Sequence, residues 1–184
     1  EPVALGSSHD AIAHGIGMVH QSFMMVPTFT LAQNIVLGAE PMKHGLLDRR
    51  RAVEEVTELS RRFQLTIDPN AKARDVPVGM LQRAEILKAL YRGAQILVLD
   101  EPTAVLAPQE TTELFRALRE FAAAGRTFIF ISHKLREVMS VADNVAVMRS
   151  GRLVGRVAAD STSEGELASL MVGRSVAAQT RSPA

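Results

Sequence analysis

The sequence predicts an α/β fold, a mostly parallel sheet core with an α-helical insertion. Three observations predict it. Two apolar runs, Ile96-Leu97-Val98-Leu99 and Phe128-Ile129-Phe130-Ile131, read as strands buried on both faces, the habit of parallel sheets. A stretch of helical period from about Pro108 to Ala124 separates them, which is strand–helix–strand alternation. Residues 31–92, by contrast, are mostly helical in pattern.

Taken in order, the elements have local reasons. Ile16-Gly17-Met18-Val19 reads as a short strand, followed at once by His20 and Gln21. Thr30 to Leu37 reads as a short helix, with Thr30 as its N-cap and Gly38 as its stop. Asp48 to Leu65 carries Val53, Val56, Leu59 and Phe63 at helical spacing with charges between them. Pro69 to Val76 is a polar loop, and Gly79 to Arg92 is a helix ended by Gly93. In the helix from Pro108, Leu114, Phe115, Leu118 and Phe121 form the apolar side. Proline suits its first turn and Gly125 its end. A helix with Leu135, Val138 and Met139 follows the second strand. Asn144–Met148 and Arg152–Val157 then form a hairpin turning at Ser150-Gly151. Ser163-Glu164-Gly165-Glu166 has capping-box spacing for a last helix ending near Val172. From Gly173 the polar, small-residue tail reads as flexible.

Composition bounds the function. The 184 residues are 47% apolar, which suffices for one domain with a core and excludes disorder over most of the length. Net charge is +1 with signs interspersed, and aromatics are 4% with no Trp, so neither a basic tract nor a base-stacking platform points to nucleic acid. There is no Cys, which excludes disulfides and thiolate metal sites. No apolar run is long enough to cross a bilayer.

The chemistry concentrates at Asp100-Glu101-Pro102. Two carboxylates fall where the first strand must end, because Pro102 cannot continue a central ladder. Ligands of open parallel sheets sit at the carboxyl ends of the strands. On an extended chain, adjacent side chains point opposite ways, so one carboxylate could face a metal and the other a water. That division suits nucleoside triphosphate hydrolysis; alone, the pair is equally a strand end beside a turn. Three further features join it. His133 lies just past the second strand, in Ile131-Ser132-His133-Lys134, and Gln21 lies just past the first short one. Val76-Pro77-Val78-Gly79-Met80 opens a helix at a bare glycine, whose unpaired N–H groups and about half a positive charge suit phosphate.

In this order the pieces resemble the ATP-binding subunit of an ABC transporter, over about Gly15 to Gly173. Gln21 matches the Q-loop, Val76–Met80 the signature segment, Ile96–Glu101 Walker B with its glutamate, Thr103–Ala107 the D-loop, and His133 the switch histidine. Met18-Val19-His20-Gln21, Glu85–Leu90 and Glu101–Leu106 are most similar to the simple-sugar and nucleoside importer branch. The resemblance implies a P-loop NTPase-like (RecA-like) core and the cofactors ATP and Mg²⁺. It assigns Asp100 and Gln21 to the metal, and Glu101, His133 and Gln21 to catalysis. Glu101 would polarise the attacking water and His133 would hydrogen-bond the γ-phosphate. Val78, Gly79 and Met80 would touch ATP held by an opposing half. Phe23, Met24, Met25 and Pro27 would line the groove for a permease coupling helix. The partners implied are transmembrane permease subunits, a second ATP-binding half in a dimer or the same chain, and indirectly a solute-binding protein, at the cytoplasmic face of the membrane.

The chain also departs from the family pattern. No G-x-x-x-x-G-K-[ST] occurs in it, so the phosphate-loop strand and helix are expected to be absent, and the chain is expected to be an amino-terminally truncated piece of a longer subunit. Alone it is expected to be inactive. Pro77 replaces the signature serine, Met80 the glutamine, and Ala107 stands where many D-loops carry Asp. The expected organisation is a partial ATPase domain over residues 1–173, with a core of 1–30 and 94–173 and a helical subdomain of about 31–93. Residues 174–184 would be a flexible tail. The alternatives are a soluble ATPase of the same family unconnected to transport, or an inactive regulatory fragment. Residues 31–92 lack the long heptads of a chromosome-type coiled coil.

Overall fold

The computed structural model describes residues 3–173; the expected tail, 174–184, lies outside them. The chain divides into two compact units, up to Ile131 and from Ser132 onward.

The first unit is built on a parallel sheet in the order β1 (Ile16–Val19), β4 (Ile96–Asp100), β5 (Thr127–Ile131). Register aligns Met18 with Val98 and Val98 with Ile129, so these three side chains share one face. The other face carries Gly17, Leu97, Leu99 and Phe130, against which α4 (Val78–Tyr91) and α5 (Pro108–Ala123) pack. Gly17 is required there. A Cβ built on it would lie 2.9 Å from the Ala94 Cβ and 3.1 Å from the Ala89 Cβ, so the chain at the end of α4 could not approach the strand. Phe115 meets Phe130 edge-on at 5.6 Å, and Leu114, Leu118 and Phe121 complete the buried side of α5.

Burial corrects one expectation. Leu97 and Leu99 are fully buried, but Met18, Ile129 and Ile131 are 46%, 50% and 45% exposed. The sheet is therefore covered on one face only among the described residues. An unbroken apolar run cannot distinguish that case from burial on both faces.

Between β1 and β4 come α2 (Leu31–Val36), α3 (Arg49–Arg62) and α4. Thr30 caps α2 in a full capping box with Gln33, and Asp48 caps α3. Leu31, Ile35, Val56 and Leu87 bury where these helices meet. α4 is buried nearly all round, as its apolar composition requires. Three details were not foreseen. Ser8–Ala13 forms a short helix, α1, capped by the Ser7 side chain. Met42–Lys43 (β2) and Leu46–Leu47 (β3) pair as a hairpin through His44 and Gly45, both in the left-handed region. The helix after Asp48 stops at Arg62 rather than Leu65, because Gln64 takes a φ of 53°.

The second unit holds α6 (Leu135–Val141), the hairpin β6 (Asn144–Arg149) and β7 (Arg152–Ala158), and α7 (Glu164–Val172). Ser150 and Gly151 have φ of 50° and 74°, the left-handed pair a tight hairpin demands. Ser163 and Glu166 form the expected capping box, and Gly173 ends α7 in the left-handed conformation.

Candidate functional site

Because β1, β4 and β5 run parallel, their carboxyl ends form one rim. Asp100 is the last residue of β4 and pairs in register with Ile131. Glu101 comes next, and Gln21 lies two residues beyond β1, exposed. The structure thus gathers Gln21, Asp100 and Glu101 at the rim where open α/β sheets bind ligands.

The backbone turns sharply there. Glu101 has a φ of 46°, a left-handed conformation that costs a non-glycine residue about 1–2 kcal/mol. Its N–H donates to the Ile131 carbonyl at 2.9 Å, and its own carbonyl accepts from Ala104 at 3.1 Å. Pro102 and Thr103 are buried beneath the turn. Period-two alternation therefore does not govern how the two carboxylates diverge: the chain leaves the extended conformation at Glu101. Strain held in place by surrounding hydrogen bonds and buried neighbours is a mark of functional positions.

His133 lies two residues along the chain from the end of β5, in the second unit. Beside it the Ser132 Oγ accepts the Lys134 N–H at 3.1 Å, and the Lys134 ammonium pairs with Glu137 at 3.2 Å.

Val78, Gly79 and Met80 form the first turn of α4. Ala89, near the other end of α4, is the residue that meets Gly17, and the first turn lies roughly 15 Å along the helix from it. Pro77 is the N-cap residue and makes no side-chain cap. The start of α4 already faces an anion: a Cβ built at Gly79 would overlap the Glu110 carboxylate, which also accepts the Ala107 N–H at 3.0 Å. Glu110 was not anticipated, although its place in the first turn of α5 is a familiar acidic position.

The segment after Gln21 is tied to α4. Glu85 Oε1 accepts the Met24 N–H at 2.6 Å, and the Lys88 ammonium donates to the Met24 carbonyl at 3.3 Å. Glu85 is buried on the helix. Asn34, fully buried on α2, accepts the Val26 N–H at 2.7 Å and donates to the carbonyls of Val26 and Thr30, both at 3.1 Å. These three polar side chains fix the loop's backbone while leaving Met24, Pro27 and Phe29 exposed and Phe23 and Met25 half-buried. Sequence reasoning missed Glu85, Lys88 and Asn34 as loop anchors; a polar residue inside an apolar helix stretch was the available signal.

Asp100 and the Gln21 amide oxygen are hard oxygen donors, and few protein ligands completed by water and phosphate oxygens is the habit of Mg²⁺. Among the described residues no group of three His, Asp or Glu side chains gathers as metal ligands.

A parallel sheet with polar and acidic groups collected at its carboxyl rim, and helices on its flank, defines an α/β domain of the P-loop NTPase kind. The family model described as ABC transporter matches residues 3–104. The chain belongs to the ABC transporter family. It is 52% identical over 180 residues to the guanosine import ATP-binding protein NupO of Bacillus subtilis, covering 98% of this chain and 35% of that protein. It is 50% identical over 162 residues to the nucleoside import ATP-binding protein NupA of Lactococcus lactis, covering 88% of this chain and 32% of that one. Among solved structures, an ATP-binding cassette of an ABC transporter superposes with a TM-score of 0.72 at 23% identity, covering 88% of this chain and 70% of that one. The chain spans about a third of the length of the curated relatives it matches. No helix among the described residues is long and apolar enough to cross a membrane.

Proposed function

We propose that this chain is the catalytic-rim portion of an ATP-binding subunit that powers an importer of simple sugars or nucleosides, nucleosides first. The single observation that carries the reading is the strained Glu101 turn at the rim shared with Asp100 and Gln21. Similarity to two nucleoside import ATP-binding proteins supports the solute class.

In this reading Asp100 and the Gln21 amide oxygen are the residues that would hold Mg²⁺. The ion, when bound, neutralises charge on the phosphates. Glu101 accepts a hydrogen bond from the attacking water and takes its proton as the water attacks, an effect worth about 10²–10⁴-fold in rate. His133 hydrogen-bonds the γ-phosphate. The phosphate loop that must complete the site is not among these 184 residues. The first turn of α4 serves the ATP of an opposing half. Residues 31–93 act as the helical subdomain. The exposed Met24, Pro27 and Phe29, with the half-buried Phe23 and Met25, form the apolar patch for a permease helix, at the cytoplasmic face of the membrane.

Co-purification tests the partner. The phosphate-loop-bearing protein should bring down an integral membrane permease, and its loss should abolish uptake of labelled nucleoside. Recovery with ribosomes instead, and unchanged uptake, would contradict transport.

A further inference from the structure

Away from the rim, the first unit holds a cavity of about 500 Å³, walled by the end of α3, the segment after it, α4 and α5. That volume suits a small organic ligand. Its walls carry three guanidinium groups, on Arg61, Arg83 and Arg116, against one carboxylate, on Glu113. Arg83 is occupied: it pairs with Glu113 and donates to the Thr66 carbonyl at 3.1 Å. Arg61 and Arg116 are exposed and make no ion pair among the described residues. Two guanidinium groups without a carboxylate partner at one concavity give it a positive local field. Gln64, just past the C-cap of α3, lines the wall as well. It turns α3 into the cavity wall with a φ of 53°, a position glycine would take at lower cost. A glutamine there keeps an amide at the wall.

We propose that this cavity binds a small phosphate monoester of a sugar or nucleoside. Arg61 and Arg116 present planar forks to the dianionic phosphate, the geometry guanidinium groups share with phosphate oxygens. The Gln64 amide faces the hydroxyl-bearing remainder. The ion pair of Arg83 with Glu113 fixes the wall between them. This site uses no residue of the rim and stands whether or not the chain hydrolyses ATP.

Calorimetric titration of the 184-residue chain tests it, with ribose 5-phosphate, inorganic phosphate and sulfate as probes. Ribose 5-phosphate should bind saturably at one site, at least about tenfold more tightly than either inorganic anion, which is a difference of about 1.4 kcal/mol. The double substitution Arg61→Gln and Arg116→Gln should weaken it by at least about tenfold with an unchanged melting temperature, since both side chains are exposed. Arg50→Gln, on an exposed ion pair elsewhere on α3, should leave it intact. No saturable binding up to about millimolar concentrations, equal affinity for sulfate, or full retention in the double variant would each overturn the proposal.

Discussion

Glu85 accepts the Met24 N–H at 2.6 Å across a sequence separation of 61 residues. The bond joins the helix that begins at Val78 to the loop that begins at Gln21. With Lys88 on the Met24 carbonyl, the backbone of one residue is held at both its N–H and its carbonyl by side chains one turn apart on α4. A shift of Gln21 on nucleotide binding would therefore be felt by α4, and the reverse.

Breaking that grip gives the first prediction. Glu85→Ala removes a hydrogen bond to a charged acceptor and should cost about 2 kcal/mol. Amide exchange at Met24 and Val26 should speed while exchange in β4 changes only by the global loss. Unaltered protection at Met24 would show that the loop is held by something other than this bond.

The conformation at Glu101 gives the second. Both Glu101→Gly and Glu101→Ala delete the side chain, but only glycine relieves a left-handed φ worth about 1–2 kcal/mol. Glycine's greater freedom in the unfolded chain returns about 0.5–1 kcal/mol of that. Urea unfolding should find the glycine variant the more stable of the two by roughly 0.5–1 kcal/mol; equal midpoints would mean that the turn holds no strain.

Pro77 at the start of α4 gives the third. Serine would restore an N-cap worth about 1 kcal/mol, offset by the lost rigidity of proline at about 0.4–1 kcal/mol. Melting temperature should therefore barely move. In the phosphate-loop-bearing protein, Pro77→Ser should nonetheless raise the ATPase rate, because a hydroxyl becomes available to the opposing site. A stabilised protein with an unchanged rate would confine Pro77 to a structural part.

The fourth concerns pH. Tyr91 on α4 donates to Glu55 on α3 at 2.7 Å. Burial first, then the bond to Glu55, pushes the Tyr91 hydroxyl up to about 12, and the bond from Tyr91, with Arg51, holds the Glu55 carboxyl below the usual range. A raised tyrosine stabilises fully below its ordinary value near 10 and loses that contribution as pH rises toward about 12. A lowered carboxylate stabilises above its ordinary value of 4.5 and loses it as pH falls through the folded value. Tyr91→Phe should cost about 1 kcal/mol at neutral pH and flatten the alkaline fall in stability. A variant with the same alkaline slope would remove Tyr91 from the account.

What the sequence made legible was local. Thr30, Asp48, Pro108 and Ser163 sit at helix starts because their side chains or fixed φ act within four residues, and Ser150-Gly151 turns a hairpin by its own backbone preferences. Asp100, Glu101 and Gln21 reach one rim because strand–helix alternation makes neighbouring strands parallel, which turns their carboxyl ends the same way. The rest depended on distant partners. The exposed Ile129 and Ile131 look like core residues until their face is seen uncovered. The β2–β3 hairpin is too short to show alternation. Glutamate has no preference that announces a left-handed turn at position 101, and nothing local pairs Glu85 with Met24 or Glu110 with Gly79.

The most direct measurement is single-turnover ATP hydrolysis by the phosphate-loop-bearing protein with Glu101→Gln, alongside its ATP affinity. The rim account predicts affinity within about twofold of the parent and hydrolysis slower by about 10²-fold or more. Hydrolysis at the parent rate would place the catalytic carboxylate elsewhere and contradict it.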